Sequence, residues 1–246
     1  MTKIVALLAF QNEEKYLPGF FAHLRPYVSE FIVLDDASSD GSAEISRSQP
    51  DTVLLKGIDG ASHTPHYYEI EHRRILLEAA LAAQADWVLA CDADERYESR
   101  FLEDLPTLIV GKRDAYALWF RELWDRPDRF RIDGIWGTKA RFVLFPCVSF
   151  TEYHPVRSQH TRWPPPNISC PDENILNYNL YHFGSLSRGK RVARMRKWLE
   201  IDPEARYQPK IGYSYLSDEA GLVVREIEPE HRYQILPEDA HLFANC

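Results

Sequence analysis

The stretch DWVLACDADE at residues 86–95 constrains the fold more than any other part of the sequence. Residues 87–91 are apolar, a run long enough for a buried strand and too short for a free-standing helix. Asp92, Asp94 and Glu95 follow at once. Carboxylates this close repel one another, and a divalent cation among them would relieve the repulsion. The stretch therefore predicts a strand that ends in a metal site, although the same acids would also suit a solvated turn that caps a helix.

The first hundred residues alternate strand patterns with amphipathic helix patterns. This alternation is typical of an α/β fold, a mostly parallel sheet with helices on both faces. The predicted elements are strands at residues 3–10, 31–34, 52–56 and 87–91 and helices at residues 14–28, 42–48 and 67–83. Ligands bind beyond the carboxyl ends of such strands, so residues 11–13, 35–36 and 92–94 should meet at one edge of the sheet.

The remainder of the chain is less regular. The predicted elements are a helix at residues 102–110, strands at residues 115–123, 141–145 and 181–183, and a basic helix at residues 187–201. Residues 125–137 indicate an excursion from the sheet. The proline-rich residues 148–179 indicate a long irregular segment, and such segments are usually functional. The residues after Asp202 have mixed polarity and suggest no role.

Composition narrows the class of protein. A chain of 246 residues with 45% hydrophobic residues suits one globular domain. A net charge of -8 argues against a nucleic-acid binder. No stretch has the pattern of a transmembrane span, and the apolar start runs straight into acids, so it indicates a core strand and not a secretion signal. The 4 cysteines have no CxxC spacing, which suggests free thiols in a reducing cytosol.

Three motifs carry a resemblance to a known family. AFQNEEKYL (9–17), VLDDASSDGS (33–42) and DWVLACDADE (86–95), in this order and at these spacings, resemble the nucleotide-sugar-binding half of glycosyltransferase family 2, which has the GT-A fold. RFVLF (141–145) and LYHFGSLSRGKRVARMRKWLEIDP (180–203) resemble the later part of bacterial members. The chain departs from the family at two positions, because Pro often stands in place of Ala9 and Tyr in place of Gln11.

The resemblance implies a single GT-A domain with a Rossmann-like, mostly parallel sheet. Residues 1–112 would form the nucleotide-sugar-binding half, and residues 113–246 the acceptor-side half. The implied activity is an inverting transfer of a sugar from a nucleoside-diphosphate sugar to a hydroxyl acceptor, in the synthesis of cell-surface polysaccharide or glycoconjugates. The implied cofactor is Mn²⁺ or Mg²⁺, which would stabilise the charge that develops on the leaving diphosphate.

The resemblance also implies which residues contact the nucleotide. Asp36 would accept a hydrogen bond from the base or ribose, although it would also suit a helix N-cap. Arg74, or Arg73 before it, would approach from the helix that precedes the DxD strand, although arginines on a helix are more often solvated. The full set of implied nucleotide contacts is Ala9, Gln11, Glu13, Asp36, Arg74, Asp92 and Ala93.

The implied metal ligands come from both halves. Asp92 and Asp94 form the DxD motif, with Asp94 as the more direct ligand and Asp92 nearer the ribose or a bound water. His182 would add a ligand from the later part of the chain, and the alternative is a buried histidine bound to a backbone carbonyl. His154 is a second candidate histidine.

Inversion requires a carboxylate that deprotonates the acceptor hydroxyl. The candidates in the irregular segment are Glu152, Asp172 and Glu173, and we favour the last two, which follow the proline run. Many relatives have a His-Glu pair where this chain has His154 and Pro155, so the identity of the base stays open.

The basic helix has three interpretations. Arg188 or Lys190 would bind the diphosphate, or the exposed face would rest on an anionic membrane surface where lipid-linked acceptors are found, or the helix is simply solvated. The expected location is cytoplasmic, with membrane association on the cytoplasmic face if the second interpretation holds.

Two other functions fit the central motif. Haloacid dehalogenase phosphatases also have a hydrophobic strand followed by DxD, but they need it on their first strand. A non-catalytic nucleotide-sugar-binding protein with the same fold is the other alternative. No GxGxxG follows the first strand and no GxxxxGK[ST] is present, so neither a dehydrogenase-type dinucleotide site nor a P-loop is indicated.

Overall fold

The computed structural model describes residues 2–58, 69–111, 114–153, 162–206 and 208–244. These residues form a mixed α/β fold. The strands are β1 (Ile4–Phe10), β2 (Glu30–Asp35), β3 (Thr52–Lys56), β4 (Trp87–Ala90), β5 (Glu95–Tyr97), β6 (Tyr116–Glu122), β7 (Arg129–Arg131), β8 (Ala140–Pro146), β9 (Ile175–His182) and β10 (Val224–Glu226). The α-helices are α1 (Leu17–Leu24), α2 (Ser42–Arg47), α3 (Glu69–Ala82), α4 (Ser99–Leu108) and α5 (Arg188–Ile201).

Eight strands form one sheet in the order β3-β2-β1-β4-β8-β6-β9-β5. Strands β1 to β4 run parallel to one another, β8 is antiparallel to β4 and β6, and β9 is parallel to β6. The carboxyl ends of β1, β2, β4, β6 and β9 therefore lie at one edge of the sheet, together with the amino end of β8. We call this the site edge.

Helices cover both faces of the parallel strands. Val5 and Leu7 of β1 face the α3 side and pack in one cluster with Leu76 and Leu77 of that helix. The alternating residues of β1 face α1 and α4 on the other side, in a second cluster. A strand that is apolar on both faces needs this double cover, which explains why the early strands read as continuous apolar runs.

The C-terminal region is built into the fold. Strand β10 pairs antiparallel with β7 as a separate two-stranded sheet. Further on, Asp239 accepts two hydrogen bonds from Arg96, at 2.9 and 2.6 Å, and both side chains are fully buried. A Cβ at Gly19 of α1 would collide with this ion pair. The residues after Asp202, for which the sequence suggested no role, therefore fasten α1 to β5.

The sequence misplaced several elements. The predicted strand at residues 181–183 is only the end of β9, which begins at Ile175 inside the segment predicted to be irregular. Strand β5 was not predicted, because it follows the acidic motif directly and has 3 residues. Helix α1 has 8 residues and not the 15 of the prediction at residues 14–28.

Two further expectations concern the whole chain. Within the described ranges, no helix combines the length and apolar character needed to cross a membrane. The three cysteines in these ranges, Cys91, Cys147 and Cys170, are free thiols, as predicted.

Candidate functional site at the carboxyl ends of the strands

The loops after β1 and β2 are joined by side-chain hydrogen bonds. The Gln11 amide donates to the carbonyl of Asp36 at 2.8 Å, and the backbone N–H of Glu13 donates to the Ser42 hydroxyl at 2.8 Å. Ala9 lies inside β1, beside Leu34 of β2. The structure thus brings together the polar clusters that the sequence placed at the ends of two neighbouring strands.

Glu13 connects these loops to the DxD motif. Burial and the neighbouring Asp94 carboxylate raise the pKa of Glu13 to about 8, and Asp92 contributes in the same direction. Lys15 and Lys197 oppose the shift. Glu13, Asp92 and Asp94 therefore lie close enough to repel one another, which is the convergence predicted for the site edge.

His182, the last residue of β9, lies between two carboxylates. Its Nε2 is 3.0 Å from Asp94 Oδ2, and its Nδ1 is 2.6 Å from Oε2 of Glu122, the last residue of β6. Ser185 and Arg194 also donate to Glu122, each at 2.8 Å. We call Asp94, Glu122, His182, Ser185 and Arg194 the histidine cluster. It fixes the orientation of the imidazole ring from both of its nitrogens.

Opposite charges in the histidine cluster stabilise one another, so its titratable groups stay ionised although burial opposes ionisation. Burial alone would lower the pKa of His182, but Asp94 and Glu122 outweigh it and raise the pKa to about 10. Burial would likewise raise the pKa of Asp94, yet His182 lowers it to about 2. Arg194 and His182 keep the pKa of the Glu122 carboxyl well below its usual range despite burial. The cluster is therefore an imidazolium between two carboxylates at neutral pH.

Backbone geometry holds the ring against Asp94. The Phe183 N–H donates to the Asp94 carbonyl at 2.9 Å, and β5 pairs with the end of β9 so that Glu95 lies opposite His182. A Cβ at Gly184 would be 2.8 Å from His182 Nε2. Glycine at this position therefore leaves room for the ring.

The first acid of the DxD motif has a different partner. Both terminal nitrogens of Arg141 lie 3.1 Å from Asp92 Oδ2, and Arg141 also contacts Glu95. The Glu95 carboxylate in turn accepts the Asp92 backbone N–H at 2.9 Å. Ala93 is buried between the two acids, and its carbonyl accepts from Arg96. Asp92 is thus oriented by a guanidinium, whereas Asp94 is oriented by a histidine.

Asp36 lies at the other end of the site edge, next to His72 of α3. The Asp36 Oδ1 and His72 Nε2 atoms are 3.6 Å apart. Both atoms are buried, and neither has a hydrogen-bond partner among the residues that the structure describes. Burial lowers the pKa of His72 despite the Asp36 carboxylate, so the ring is neutral at pH 7. We call these two residues the aspartate–histidine pair.

The structure does not bring the predicted arginines of α3 to this pair. Arg74 lies on the exposed side of the helix, paired with Glu78. Arg73 pairs with Glu69 and packs over the ring of Trp163 at 4.5 Å. His72, one position earlier, is the residue of α3 that faces Asp36.

Two of the three predicted catalytic bases, Asp172 and Glu173, lie away from the histidine cluster. Both are exposed and precede β9, and the strand then rises by seven residues from Ile175 to His182. At about 3.3 Å per residue this is roughly 23 Å. Glu152 is exposed too, beside Tyr153, which packs in the α3-side core. His154 lies outside the described residues. The positions of Asp172 and Glu173 therefore do not favour either of them as the base, and the assignment of Glu152 stays a prediction.

Several basic residues of helix α5 lie at the site edge. Lys190 lies over the ring of Tyr16 at 5.3 Å, and the charges of Lys197 and Asp94 act on Glu13. Arg194 belongs to the histidine cluster. Arg188 is exposed. At least part of the basic helix is therefore turned towards the acids and not towards solvent.

The donor atoms present suit a divalent cation in part. No group of three or more His, Cys, Asp or Glu side chains is arranged for a metal ion in the portion of the chain that the structure covers. Asp94 and His182 do offer a carboxylate oxygen and an imidazole nitrogen side by side. The other ring nitrogen is held by Glu122, which is the usual arrangement behind a metal-binding histidine. Two protein ligands leave coordination positions for a substrate.

Comparison with known proteins gives distant likenesses along most of the chain. Proteins of Mycobacterium tuberculosis and Mycobacterium bovis, both called uncharacterized, are each 24% identical over an alignment of 238 residues that covers 90% of this chain. The chain spans 57% of the length of these relatives.

Solved structures give a more partial likeness. Glucosyl-3-phosphoglycerate synthase from Mycobacterium tuberculosis, solved with Mn²⁺, UDP and glucosyl-3-phosphoglycerate, is 18% identical with a TM-score of 0.36, over 49% of this chain and 44% of that one. The same enzyme solved with Mg²⁺ and UDP gives equal values.

The sequence profile of the family described as Glycosyl transferase family 2 matches residues 6–150. This range is more than half of the chain, and it contains all three motifs, most of β1 and all of β2 to β8. The mostly parallel sheet with helices on both faces agrees with the GT-A fold that the motifs implied. The chain belongs to glycosyltransferase family 2.

Proposed function

We propose that this protein transfers a sugar from a nucleoside-diphosphate sugar to a hydroxyl acceptor, with inversion at the anomeric carbon and with Mn²⁺ or Mg²⁺ as cofactor. The observation that carries the proposal is the position of His182, held by Glu122 through Nδ1 and placed 3.0 Å from Asp94 through Nε2. Asp94 and His182 would hold the cation. When bound, the cation would neutralise the charge that grows on the leaving diphosphate.

The protein's own residues would place the donor along the site edge. Asp36 and His72 carry a buried acceptor and a buried ring nitrogen without hydrogen-bond partners in the described part of the chain, and the polar edge of a nucleoside would supply them. Arg141 would keep Asp92 directed at the ribose end. Lys190 and Lys197, which lie by Tyr16 and Glu13, would add positive charge beside the diphosphate.

Two other functions compete with this proposal. A phosphatase of the haloacid dehalogenase kind needs DxD on its first strand, whereas here it follows β4. A non-catalytic nucleotide-sugar-binding protein would use the same donor contacts. Assays separate the three, because only the transferase releases a nucleoside diphosphate from a sugar donor in a metal-dependent reaction.

A thermal-shift screen of UDP-, GDP- and dTDP-sugars, each with and without Mn²⁺, tests the proposal. A ligand at a hundred times its Kd should raise the melting temperature by about 5–10 °C for a domain of this size. We expect one nucleotide to give this shift and to require the metal. Turnover of simple phosphomonoesters would support the phosphatase instead, and tight binding without any release of nucleoside diphosphate would support the binding protein.

A further inference from the structure

Lys139 lies at the site edge without a carboxylate partner. It immediately precedes β8, and its carbonyl accepts the Phe120 N–H at 2.9 Å, which fixes its backbone beside β6. Its Nζ lies 4.1 Å from the ring centroid of Trp136 and 5.3 Å from that of Tyr215. Trp136 is buried, and Tyr215 and Lys139 are half-buried. We call these three residues the lysine–aromatic surface.

Neighbouring cations differ from Lys139 because each already has a carboxylate. Arg131 donates twice to Asp133, at 2.8 Å each, Arg141 binds Asp92, and Arg194 binds Glu122. No ion pair joins Lys139 to any residue in the described ranges, and its Nζ lies over the two aromatic rings. The surface therefore carries one ammonium group without an ion-pair partner in this part of the chain.

The position of Lys139 also has an electrostatic consequence. Burial lowers the pKa of Lys139 to about 8, and although Glu122 opposes this shift, the guanidinium groups of Arg194, Arg131 and Arg141 reinforce it. These three arginines are each paired with a carboxylate, so Lys139 is the cation of this group that an incoming anion would pair with. Half-burial beside aromatic rings strengthens such an interaction, because water screens it less than at an open surface.

The strand order places this surface on the acceptor side of the site. Along the site edge, Asp36 follows β2, Asp92 and Asp94 follow β4, and Lys139 comes next, immediately before β8. A donor that extends from the aspartate–histidine pair to Asp94 would therefore leave the lysine–aromatic surface beyond its diphosphate. Tyr and Trp rings also present the flat apolar faces on which a sugar or polyol can pack.

We propose that the lysine–aromatic surface binds an acceptor that bears an anionic group, a phosphate or a carboxylate, with Lys139 as its principal charged contact. This inference rests on the proposed function, because it assigns the acceptor of that same reaction. A soluble phosphorylated or acidic acceptor and a phosphate-bearing lipid share this chemistry.

Calorimetry on the full chain tests the inference. The protein is first saturated with Mn²⁺ and with the nucleoside diphosphate that gives the largest thermal shift, so that phosphate probes cannot occupy the donor's diphosphate site. It is then titrated with glycerol 3-phosphate, glycerate and glycerol. We expect the two anions to bind and glycerol not to bind. Lys139→Met should weaken anion binding by at least about tenfold, whereas Lys139→Arg should retain most of it.

Lys210→Met is the matched control, since it removes the same charge at an exposed position. It should leave anion binding unchanged. The nucleotide's thermal shift should stay the same in all three variants, which shows that each is folded and that the donor site is intact. Anion binding that Lys139→Met leaves unaltered would overturn the inference, as would binding that nucleotide saturation abolishes.

Two further measurements complete the test. The same titrations without nucleotide measure the contribution of Lys139 to anion binding even if no nucleotide binds. A failure of nucleotide binding would refute the proposed function and not the anion site. Sedimentation with phosphatidylcholine vesicles, with or without phosphatidic acid, distinguishes a phosphate-bearing lipid from a soluble acceptor. Capture that depends on phosphatidic acid and on Lys139 indicates a lipid phosphate, and anion binding without such capture indicates a soluble acceptor.

Discussion

The two ends of the site edge differ in how their charges are satisfied. In the histidine cluster, the imidazole of His182 has a carboxylate at each nitrogen, and Glu122 is bound by three side chains. In the aspartate–histidine pair, Asp36 Oδ1 and His72 Nε2 are buried 3.6 Å apart, and neither has a hydrogen-bond partner within the described ranges. One end is assembled before any ligand arrives, whereas the other leaves polar atoms unsatisfied.

This difference suggests that one end of the site edge binds the metal and the other end binds the nucleoside. A metal ligand must be held in a fixed orientation, and a surrounding set of hydrogen bonds provides that rigidity. Unsatisfied buried polar atoms destabilise the free protein, but a ligand that satisfies them gains affinity and selectivity. We therefore expect variants of the histidine cluster to affect metal binding and folding, and variants of the aspartate–histidine pair to affect the choice of nucleotide.

The largest effect is expected for Asp94→Asn. This change keeps the size of the side chain and removes the anionic oxygen beside His182 Nε2. Metal-dependent release of nucleoside diphosphate from the donor should fall roughly 10²–10³-fold, and the thermal shift caused by Mn²⁺ and nucleotide should disappear. If Mn²⁺ and nucleotide stabilise this variant as they do the wild-type protein, Asp94 does not bind the metal.

Glu122→Gln tests whether the cluster is assembled before the ligand. Glu122 is fully buried and balances both Arg194 and His182, so its loss leaves the partly buried Arg194 without a carboxylate and leaves His182 with Asp94 alone. The free energy of unfolding should fall by about 3–5 kcal/mol, as measured by urea denaturation. Asp104→Asn, which alters a carboxylate that accepts from Tyr178 in a partly exposed position, is the control and should change stability far less. Equal losses of stability in the two variants would contradict the view that the histidine cluster is assembled before any ligand binds.

The pH dependence of metal binding follows from the protonation of His182. Because the folded pKa of about 10 is above the ordinary value of 6.5, the charged ring stabilises the metal-free fold below pH 6.5, and this stabilisation is lost as the pH rises towards 10. A metal must displace the proton from Nε2. The apparent affinity for Mn²⁺ should therefore rise by up to about tenfold per pH unit between pH 6.5 and pH 8.5, as followed by titration calorimetry. An affinity that does not change over this range would show that metal binding displaces no proton from His182.

The smallest effect is expected at the nucleoside end. His72→Phe keeps a ring of similar size but removes the nitrogen that faces Asp36. The Kd for the nucleoside diphosphate should rise about tenfold, with metal binding unaltered. Arg74 lies on the exposed side of α3, and Arg74→Ala should therefore change the Kd by less than about twofold. If Arg74→Ala weakens binding more than His72→Phe does, the assignment of this end is wrong.

The sequence predicted the early part of the molecule well, for a physical reason. The strands that become β1, β2 and β4 are buried on both faces, so they appear as short apolar runs, and each ends in polar residues. The rule for parallel sheets then places Glu13, Asp36 and Asp94 at one edge. The family resemblance, together with the short apolar run before it, singled out His182, and the structure places this residue beside Asp94.

The later part depends on contacts between distant residues, which local patterns do not report. Glu122 ends β6 as Asp94 follows β4, so the same rule would have identified it, but Arg194 and His182 reach it only through the tertiary fold. His72 was missed because three basic or imidazole residues in a row, at positions 72–74, do not reveal which one faces the sheet.

The choice of Asp172 and Glu173 as candidate bases rested on a loop that the structure does not have. Two asparagines stand between the apolar residues of β9, so residues 175–179 read as part of an irregular segment. Asp172 and Glu173 then seemed free to reach the site, whereas the strand fixes them at the opposite edge of the sheet.

The most direct test of the account is pulsed electron paramagnetic resonance of Mn²⁺ bound to the tag-free protein together with its nucleoside diphosphate. We expect a nitrogen coupling from one directly bound imidazole, and we expect the coupling to vanish in His182→Gln while the protein remains folded. Bound Mn²⁺ without nitrogen coupling in the wild-type protein, or a coupling that persists in His182→Gln, would contradict the claim that Asp94 and His182 hold the cation.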